Sequence, residues 1–306
     1  MGKSSVRLQH TIAGPVLCAG VGVHSGAHVR VAMKPAPANH GVVFVRSDIP
    51  DTAKSGDNRI PASGANLGGT HLATSLRNEA GVEVATIEHL LAACAGLEID
   101  NLVVELDGPE MPILDGSSAP FVRLLEQAGR RAQSAPRRLV RILEPIEVVT
   151  DYGRAALLPD PASDLLTLDV TISYRDPVIG AQNLVLPLTP ETFARDLAPA
   201  RTFGFMSDLE RMRAAGRGQG ASLDNCVVIE DGRVINEGGL RFADEFARHK
   251  MLDVVGDLAL VGGPIAGRYL AERPGHALNA LLVRALFEAP HAWRVEAPAE
   301  DLAAAV

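Results

Sequence analysis

The longest predicted helix of this 306-residue chain is Asp244-Glu-Phe-Ala-Arg-His-Lys-Met-Leu-Asp-Val-Val-Gly-Asp-Leu-Ala259. A short strand, Arg268-Tyr-Leu270, and another helix, His276 to Phe287, are predicted after it. The first half of the chain has the same order of predicted elements: a helix from Thr86 to Ala95, a strand from Asn101 to Leu106 and a helix from Ala119 to Ala128. The repeated order predicts an α+β fold of two related domains that face one another, with a site in the cleft between them.

The composition and the charge of the chain exclude several classes of protein. Hydrophobic residues make up 47% and charged residues 22%, which is typical of a globular rather than a disordered protein. The chain has 29 Lys and Arg against 37 Asp and Glu, and the formal net charge of −8 argues against binding to nucleic acid or to an anionic membrane. Its three cysteines include no Cys-x-x-Cys pair, so neither a disulfide framework nor a thiolate metal cluster is expected.

The sequence predicts a cytoplasmic protein without a membrane span. Residues 1–7 lack the apolar core of a signal peptide. An uninterrupted apolar stretch of about 18 residues, the minimum for a transmembrane helix, is also missing from the sequence. We expect a monomer.

The polar residues 134–138, which include a proline, predict a linker between two domains. The first domain is expected at residues 1–133 and the second at residues 139–288. The tail, residues 289–306, is rich in Ala, Pro and Glu and is expected to contribute little beyond solubility.

One face of the long predicted helix carries polar groups that suit a metal ion. His249, Asp253 and Asp257 are spaced four residues apart and therefore share a face, while apolar residues such as Phe246 and Leu252 occupy the opposite face. The pattern predicts an amphipathic helix. Imidazole nitrogen and carboxylate oxygen are both ligands for Zn²⁺. The alternative is an ordinary solvated His–Asp pair, which is common on exposed helices.

A carboxylate and an imidazole also stand next to each other in the first predicted helix. Glu88 and His89 lie near its start, among apolar residues, where a buried charge needs a partner or a metal. If the two halves face each other, His89 can join His249 and Asp253 as a third ligand, which leaves a fourth position for water. Adjacent helical residues point about 100° apart, so Glu88 can serve as a general base while His89 binds the metal.

A further histidine, His276, lies at the start of the last predicted helix, in Gly275-His-Ala-Leu-Asn279. Beside a metal, an imidazole at this position is a candidate acid or a stabiliser of a developing oxyanion. Without a metal nearby it is simply a histidine at a helix N-terminus. The spacings by themselves predict a metal-assisted hydrolase.

Several motifs in order identify a resemblance that covers residues 8 to 288. The chain resembles the UDP-3-O-acyl-N-acetylglucosamine deacetylases, the zinc amidases of lipid A biosynthesis in Gram-negative bacteria. The motifs are Gly20-Val-Gly-Val-His-Ser-Gly26, Pro35-Ala-Pro-Ala38, Thr86-Ile-Glu-His-Leu90, Asp100-Asn-Leu102, Met111-Pro-Ile-Leu-Asp-Gly-Ser117, Ala200-Arg-Thr-Phe-Gly-Phe205, Gly218-Gln-Gly-Ala-Ser-Leu-Asp-Asn225, Asn236-Glu-Gly-Gly-Leu-Arg-Phe242, Arg248-His-Lys-Met-Leu-Asp-Val-Val-Gly-Asp257 and Gly275-His-Ala-Leu-Asn279.

The resemblance implies a role for each matching residue. His89, His249 and Asp253 would bind Zn²⁺, with Fe²⁺ as a competing ion. Glu88 would activate water for attack on the 2-acetamido group. The other implied roles are these: His276 as the protonated group that assists the oxyanion and the leaving amine, Asp257 as its orienting partner, Thr202 as an oxyanion donor and Lys250 as a contact to polar groups of the substrate.

The resemblance also implies a fold and a substrate site. Two two-layer α+β domains would pack their helices between two outer sheets, and residues 203–236 would form an inserted unit that lines an apolar passage for the 3-O-acyl chain. Its wall would come from Phe203, Phe205, Met206, Leu209 and Met212, although these residues can also simply pack their own helix. Tyr174 and Arg273 stand where the family binds the uridine end. His24 falls where the family can bind a second, inhibitory ion, and it is left out of the catalytic set.

Two other functions remain open on the sequence. A non-catalytic module that binds a sugar nucleotide would need no metal group and would tolerate the loss of Glu88 or His249. A relative that keeps the fold without activity is disfavoured, because each implied catalytic position holds a competent side chain.

Overall fold

The computed structural model describes residues 7–50 and 58–296. Residues 1–6, where no signal peptide is expected, and the last ten residues of the predicted tail lie outside the described residues. The helices are α1 (Glu88–Gly96), α2 (Ala119–Ala128), α3 (Pro190–Thr192), α4 (Met206–Ala214), α5 (Glu245–Leu258) and α6 (His276–Glu288).

Most of the strands belong to two sheets. The strands are β1 (Leu8–Ile12), β2 (Val16–Val21), β3 (His28–Pro35), β4 (Val42–Arg46), β5 (Arg59–Pro61), β6 (Ser75–Arg77), β7 (Glu83–Ala85), β8 (Leu102–Leu106), β9 (Arg130–Pro136), β10 (Leu139–Ile142), β11 (Ile146–Val149), β12 (Arg154–Leu158), β13 (Leu166–Ser173), β14 (Ala181–Pro187), β15 (Phe203–Phe205), β16 (Val227–Glu230), β17 (Arg233–Val234), β18 (Ile265–Glu272) and β19 (Trp293–Glu296).

The two halves of the chain repeat one topology. The first sheet has the strand order β2-β3-β8-β4-β5, and β8 is parallel to β4 and antiparallel to β3. The second sheet contains the same spatial order of strands, β11-β12-β18-β13-β14. Here β18 is parallel to β13 and antiparallel to β12. The strands β8 and β18 each follow a long buried helix and precede another helix. The predicted α+β fold of two related halves is confirmed.

The helices α1 and α5 form the central contact between the halves. The helix α2 packs on α1 and β2, and α6 packs on α5, β11 and β12. A Cβ atom built on Gly256 of α5 would lie 2.1 Å from the carbonyl oxygen of Glu88, so the two helix backbones touch at this glycine. The absence of a side chain there sets how closely the halves approach.

The prediction that α5 is amphipathic is wrong, because this helix is buried on nearly every side. Its buried residues include apolar ones such as Phe246 and Leu252 and also His249, Asp253 and Asp257. The polar face meets α1 rather than water. Ionisable groups at this depth require partners or a metal.

Two segments that the sequence marked as linker and tail form strands. The strand β9 includes residues 134–136 of the predicted linker and pairs with β1, because backbone hydrogen bonds along a largely exposed edge outweigh the polar composition. The tail also contributes to the fold as far as Glu296, because β19 pairs with β10 and the Trp293 indole donates to the Leu286 carbonyl at 2.7 Å. The domain boundaries stay a prediction.

The N-termini of α1 and α2 carry no side-chain cap. Thr86 has a φ of 57°, and its hydroxyl donates to Oε1 of Glu110 at 2.8 Å, so α1 begins two residues later, at Glu88. The hydroxyl of Ser118 donates to the carbonyl of His89 at 2.6 Å instead of capping α2. Both side chains thus fix the start of α1. Among the described residues, none of the helices combines the length and apolarity needed to cross a bilayer.

We expect Gly256→Ala to destabilise the protein. Alanine is the better helix former, but its Cβ meets a backbone oxygen that cannot move without separating α1 from α5. The free energy of unfolding, measured by urea denaturation, should fall by about 2 kcal/mol. Gly14→Ala is the control, because its Cβ would meet nothing within 4 Å, and unchanged stability of the Gly256 variant would contradict the packing argument.

Candidate metal centre and active site

The crossing of α1 and α5 brings together two histidines and an aspartate. Each of His89, His249 and Asp253 offers one ligand atom, and these atoms lie within 4.8 Å of one another. Nε2 of His249 lies 3.3 Å from Oδ1 of Asp253, and Nε2 of His89 lies 3.7 Å from the same oxygen. All three side chains are buried. The structure therefore places in one group the three residues that were expected to bind a metal.

The surroundings of His249 leave one ring nitrogen free to bind a metal. Its Nδ1–H donates to the carbonyl of Ala200 at 3.0 Å, so the lone pair of Nε2 faces Asp253. The Ala200 segment is itself held on α5, because the guanidinium of Arg201 donates to Glu245 at 2.9 Å. Burial lowers the pKa of His249 to about 3. The imidazole is therefore neutral, as a metal ligand must be.

The charge of Asp253 also fits a metal ion. Burial opposes ionisation, yet neighbouring groups, among them the ammonium of Lys250, hold the pKa of this carboxyl well below its usual range. Its Oδ1 atom is buried and accepts no hydrogen bond from the described residues. A buried carboxylate oxygen without a donor is costly, and a divalent cation would satisfy it. The buried His-His-Asp group can thus hold a metal ion.

Glu88 lies beside this group, at the first position of α1. Its Oε2 accepts a hydrogen bond from the backbone N–H of Thr74 at 3.1 Å, and its Oε1 lies 3.7 Å from Nε2 of His276. Burial raises the pKa of Glu88 above its ordinary value. A carboxylate with a raised pKa is a better proton acceptor, as a general base requires.

His276 pairs with a second carboxylate of α5. Its Nδ1–H donates to Oδ2 of Asp257 at 3.0 Å. Burial alone would lower the pKa of His276, but the carboxylates of Asp257 and Glu88 raise it to about 9. The imidazole is therefore protonated near neutral pH and can donate a proton from Nε2.

Two residues that the sequence did not single out complete the hydrogen bonds of Asp257. The hydroxyl of Thr74 donates to Oδ1 at 2.6 Å, and the amide of Asn279 donates to Oδ2 at 2.8 Å. The Tyr269 hydroxyl holds Asn279 in turn, at 2.7 Å. Asn279 is part of the Gly275–Asn279 motif quoted above. Thr74 follows an irregular loop, and no motif or periodic pattern around it indicated a role in the site.

Lys250 lies against a candidate metal ligand. Its Nζ donates to Oδ2 of Asp253 at 2.7 Å and lies 5.7 Å from the centre of the Phe203 ring. Burial alone would lower the pKa of Lys250, but Asp253 raises it above its ordinary value. The ammonium group thus balances the charge of Asp253 in addition to facing the cavity.

A cavity of about 660 Å³ opens over the His-His-Asp group and draws its walls from both halves of the chain. Thr202, Phe203 and Tyr174 line it, as do His24 and Lys250. The apolar part of the lining includes Leu72, Ile113, Phe205, Leu209, Met212 and Val228. Met206, which was expected in the apolar wall, does not line this cavity.

Arg273 is not brought to the cavity. It is exposed at the end of β18, with a φ of 51°, and it does not belong to the cavity lining. The aromatic candidate, Tyr174, does line the cavity, and its ring lies 5.7 Å from that of Phe203.

We expect His249→Ala to lose metal affinity, because the substitution removes one of the three grouped ligand atoms. The dissociation constant for Zn²⁺, measured by competition with a chelating dye, should rise by more than the roughly 10–100-fold caused by loss of a residue that only orients a ligand. His28→Ala is the control, since His28 is exposed on β3. Unchanged affinity in the His249 variant would refute this metal site.

Comparison with known proteins gives the family of the chain. The family model described as LpxC, UDP-3-O-acyl N-acetylglycosamine deacetylase, matches residues 9–288. A UDP-3-O-acyl-N-acetylglucosamine deacetylase of Phenylobacterium zucineum (strain HLK1) is 51% identical over 97% of this chain and 99% of the relative. Relatives of the same name from Myxococcus xanthus (strain DK1622) and Anaeromyxobacter sp. (strain Fw109-5) are 44% and 46% identical, each over 94% of this chain and over 88% and 91% of their own lengths. The chain therefore belongs to the UDP-3-O-acyl-N-acetylglucosamine deacetylase family.

Proposed function

We propose that this protein is a zinc-dependent hydrolase that removes the acetyl group from UDP-3-O-acyl-N-acetylglucosamine. The products would be UDP-3-O-acyl-glucosamine and acetate. The reaction would be an early step of lipid A biosynthesis. The observation that carries the proposal is the buried His89, His249 and Asp253 group, with Glu88 and His276 beside it, in a chain of this family.

The donor set supports zinc as the metal, with Fe²⁺ as the alternative. Two imidazole nitrogens and one carboxylate oxygen suit either ion. When bound, the ion supplies Lewis-acid activation of a water molecule. Three ligands from the chain leave room in the coordination sphere for groups other than protein, as in catalytic rather than structural sites.

Glu88 and His276 divide the proton transfers between them. Glu88 would accept a proton from the attacking water, because its pKa is raised and its Oε1 is free of close hydrogen bonds among the described residues. His276 would deliver a proton from Nε2 to the departing amine, and Asp257 keeps this imidazole charged and oriented. A base and an acid with separate roles are what amide hydrolysis requires.

Charge on the carbonyl oxygen of the acetamide would be stabilised by cationic and polar groups of the cavity. The hydroxyl of Thr202 is proposed to donate to it, together with protonated His276. Lys250 is proposed to contact polar groups of the substrate while its ammonium group stays near Asp253.

The lining of the cavity supports a substrate with an acyl chain. Phe203, Phe205, Leu209 and Met212 offer an apolar wall next to the polar group. Tyr174 is proposed to contact the uridine end. A contact between Arg273 and the diphosphate stays a prediction, as do the cytoplasmic location and the monomeric state.

A non-catalytic sugar-nucleotide module is the less supported alternative. Such a module needs a cavity, but it gains nothing from burying an acid, a base and a group of metal ligands together. The arrangement of Glu88, His276 and Asp257 favours the enzyme.

The test of the proposal is deacetylation of UDP-3-O-acyl-N-acetylglucosamine by the purified chain. Acetate release should be abolished by a chelator and restored by added Zn²⁺, because the three buried ligands have no substitute among the described groups. Binding of the UDP-sugar without acetate release, in the presence of metal, would instead support the non-catalytic module.

We expect Glu88→Gln to bind the metal normally and to turn over roughly 100-fold more slowly or worse, as loss of a general base does. The amide keeps the size of the side chain and an oxygen for the Thr74 N–H. Turnover and zinc content should be measured on the same preparation. Glu126→Gln, on the exposed side of α2, is the control, and near-normal turnover of the Glu88 variant would remove this residue from the mechanism.

A further inference from the structure

Thr74 connects two carboxylates that belong to different halves of the chain. Its backbone N–H donates to Oε2 of Glu88 at 3.1 Å, and its hydroxyl donates to Oδ1 of Asp257 at 2.6 Å. The residue is 1% exposed, so both hydrogen bonds are shielded from water. Hydrogen bonds to buried charged groups are stronger than those between neutral groups.

The hydroxyl of Thr74 occupies a distinct place among the partners of Asp257. Oδ2 accepts from His276 and from Asn279, whereas Oδ1 accepts from Thr74. A carboxylate held at both oxygens cannot rotate about its Cβ–Cγ bond. Without the hydroxyl, the plane of Asp257 would be held at one oxygen, and the imidazole that it orients would lose its fixed direction.

The backbone of Thr74 is anchored independently of its side chain. The carbonyl of Thr74 accepts a hydrogen bond from the N–H of Ile87 at 3.3 Å, next to the start of α1. The Glu88 contact also uses the backbone. A substitution at position 74 can therefore remove the hydroxyl while leaving the loop and Glu88 in place.

We infer that Thr74 is a positioning residue for the proposed deacetylation: its hydroxyl fixes the orientation of Asp257 and, through Asp257, of the His276 imidazole. The inference rests on the proposed function, because His276 must be aimed at the leaving group for the orientation to matter. Thr74 would thus link the acid on the second half to the base on the first half.

The test compares Thr74→Val with Thr74→Ser. Valine keeps the shape and removes the hydroxyl, so kcat should fall about 10-fold or more while KM and zinc content change little, as for other residues that orient a functional group. Serine keeps the hydroxyl and should restore most of kcat. If Thr74→Val does not yield folded protein, Thr74→Ala takes its place in the same comparison.

Thr11→Val is the matched control. Thr11 is also fully buried, and its hydroxyl donates to the carbonyl of Asn101 at 2.7 Å, outside the cavity. Its substitution should lower the melting temperature without lowering kcat. Equal losses of kcat in the Thr11 and Thr74 variants would reduce Thr74 to a structural role and overturn the inference.

Two further measurements separate this inference from the proposed function. In an Asp257→Ala background, Thr74→Val should cause no additional loss of kcat, because the group through which it acts is gone. The NMR signal of the Nδ1–H proton of His276 should shift in Thr74→Val and stay unchanged in Thr11→Val. An unshifted His276 signal in Thr74→Val overturns the inference. Absence of acetate release by the unmodified chain overturns the proposed function instead. In that case the NMR comparison still decides whether Thr74 orients His276.

Discussion

The close contact between α1 and α5 is the constraint on which the rest of the structure depends. Gly256 lets the backbone of α5 approach the carbonyl of Glu88, at the first turn of α1. The next residue of α1, His89, then faces His249, with 5.1 Å between the ring centroids. Because the same contact closes the interface and assembles the ligand group, packing and chemistry cannot be varied separately at this point.

This arrangement concentrates ionisable groups where a folded protein normally excludes them. Glu88, Asp253, Asp257 and His249 are each at most 3% exposed, and His276 lies beside them. Burial of such groups is tolerated when hydrogen bonds and opposite charges satisfy them. Thr74 and Asn279 satisfy Asp257, Ala200 satisfies His249, and Lys250 offsets one oxygen of Asp253. The remaining oxygen of Asp253 is the atom that a cation would complete.

The repeated topology explains how the contact between α1 and α5 can bring so many ionisable groups together. Each half places a buried helix before a central strand, β8 or β18, and α5 also packs on β13 and β14 of its own sheet. The first helix carries the proposed base and one candidate ligand, and the second carries two candidate ligands and the aspartate that contacts His276. The two copies of the repeated fold thus place different groups around one candidate site.

The sequence alone was sufficient for α1, α2, α5 and α6, for the strands β8 and β18, for the repeated order of these elements and for the residues of the His-His-Asp group, because helical periodicity and motif spacing are local properties. It was misleading where long-range contacts override local preference: α5 is buried rather than amphipathic, the Thr86 hydroxyl bonds to Glu110 and α1 begins only at Glu88, β9 pairs with β1 through residues 134–136, and β19 extends the second sheet within the expected tail. Only the tertiary structure decided that Thr74 holds Asp257, 183 residues further along the chain, and that Arg273 is outside the cavity lining. The physical reason is that these contacts join surfaces of separate elements, and their geometry is set by how closely the two halves pack.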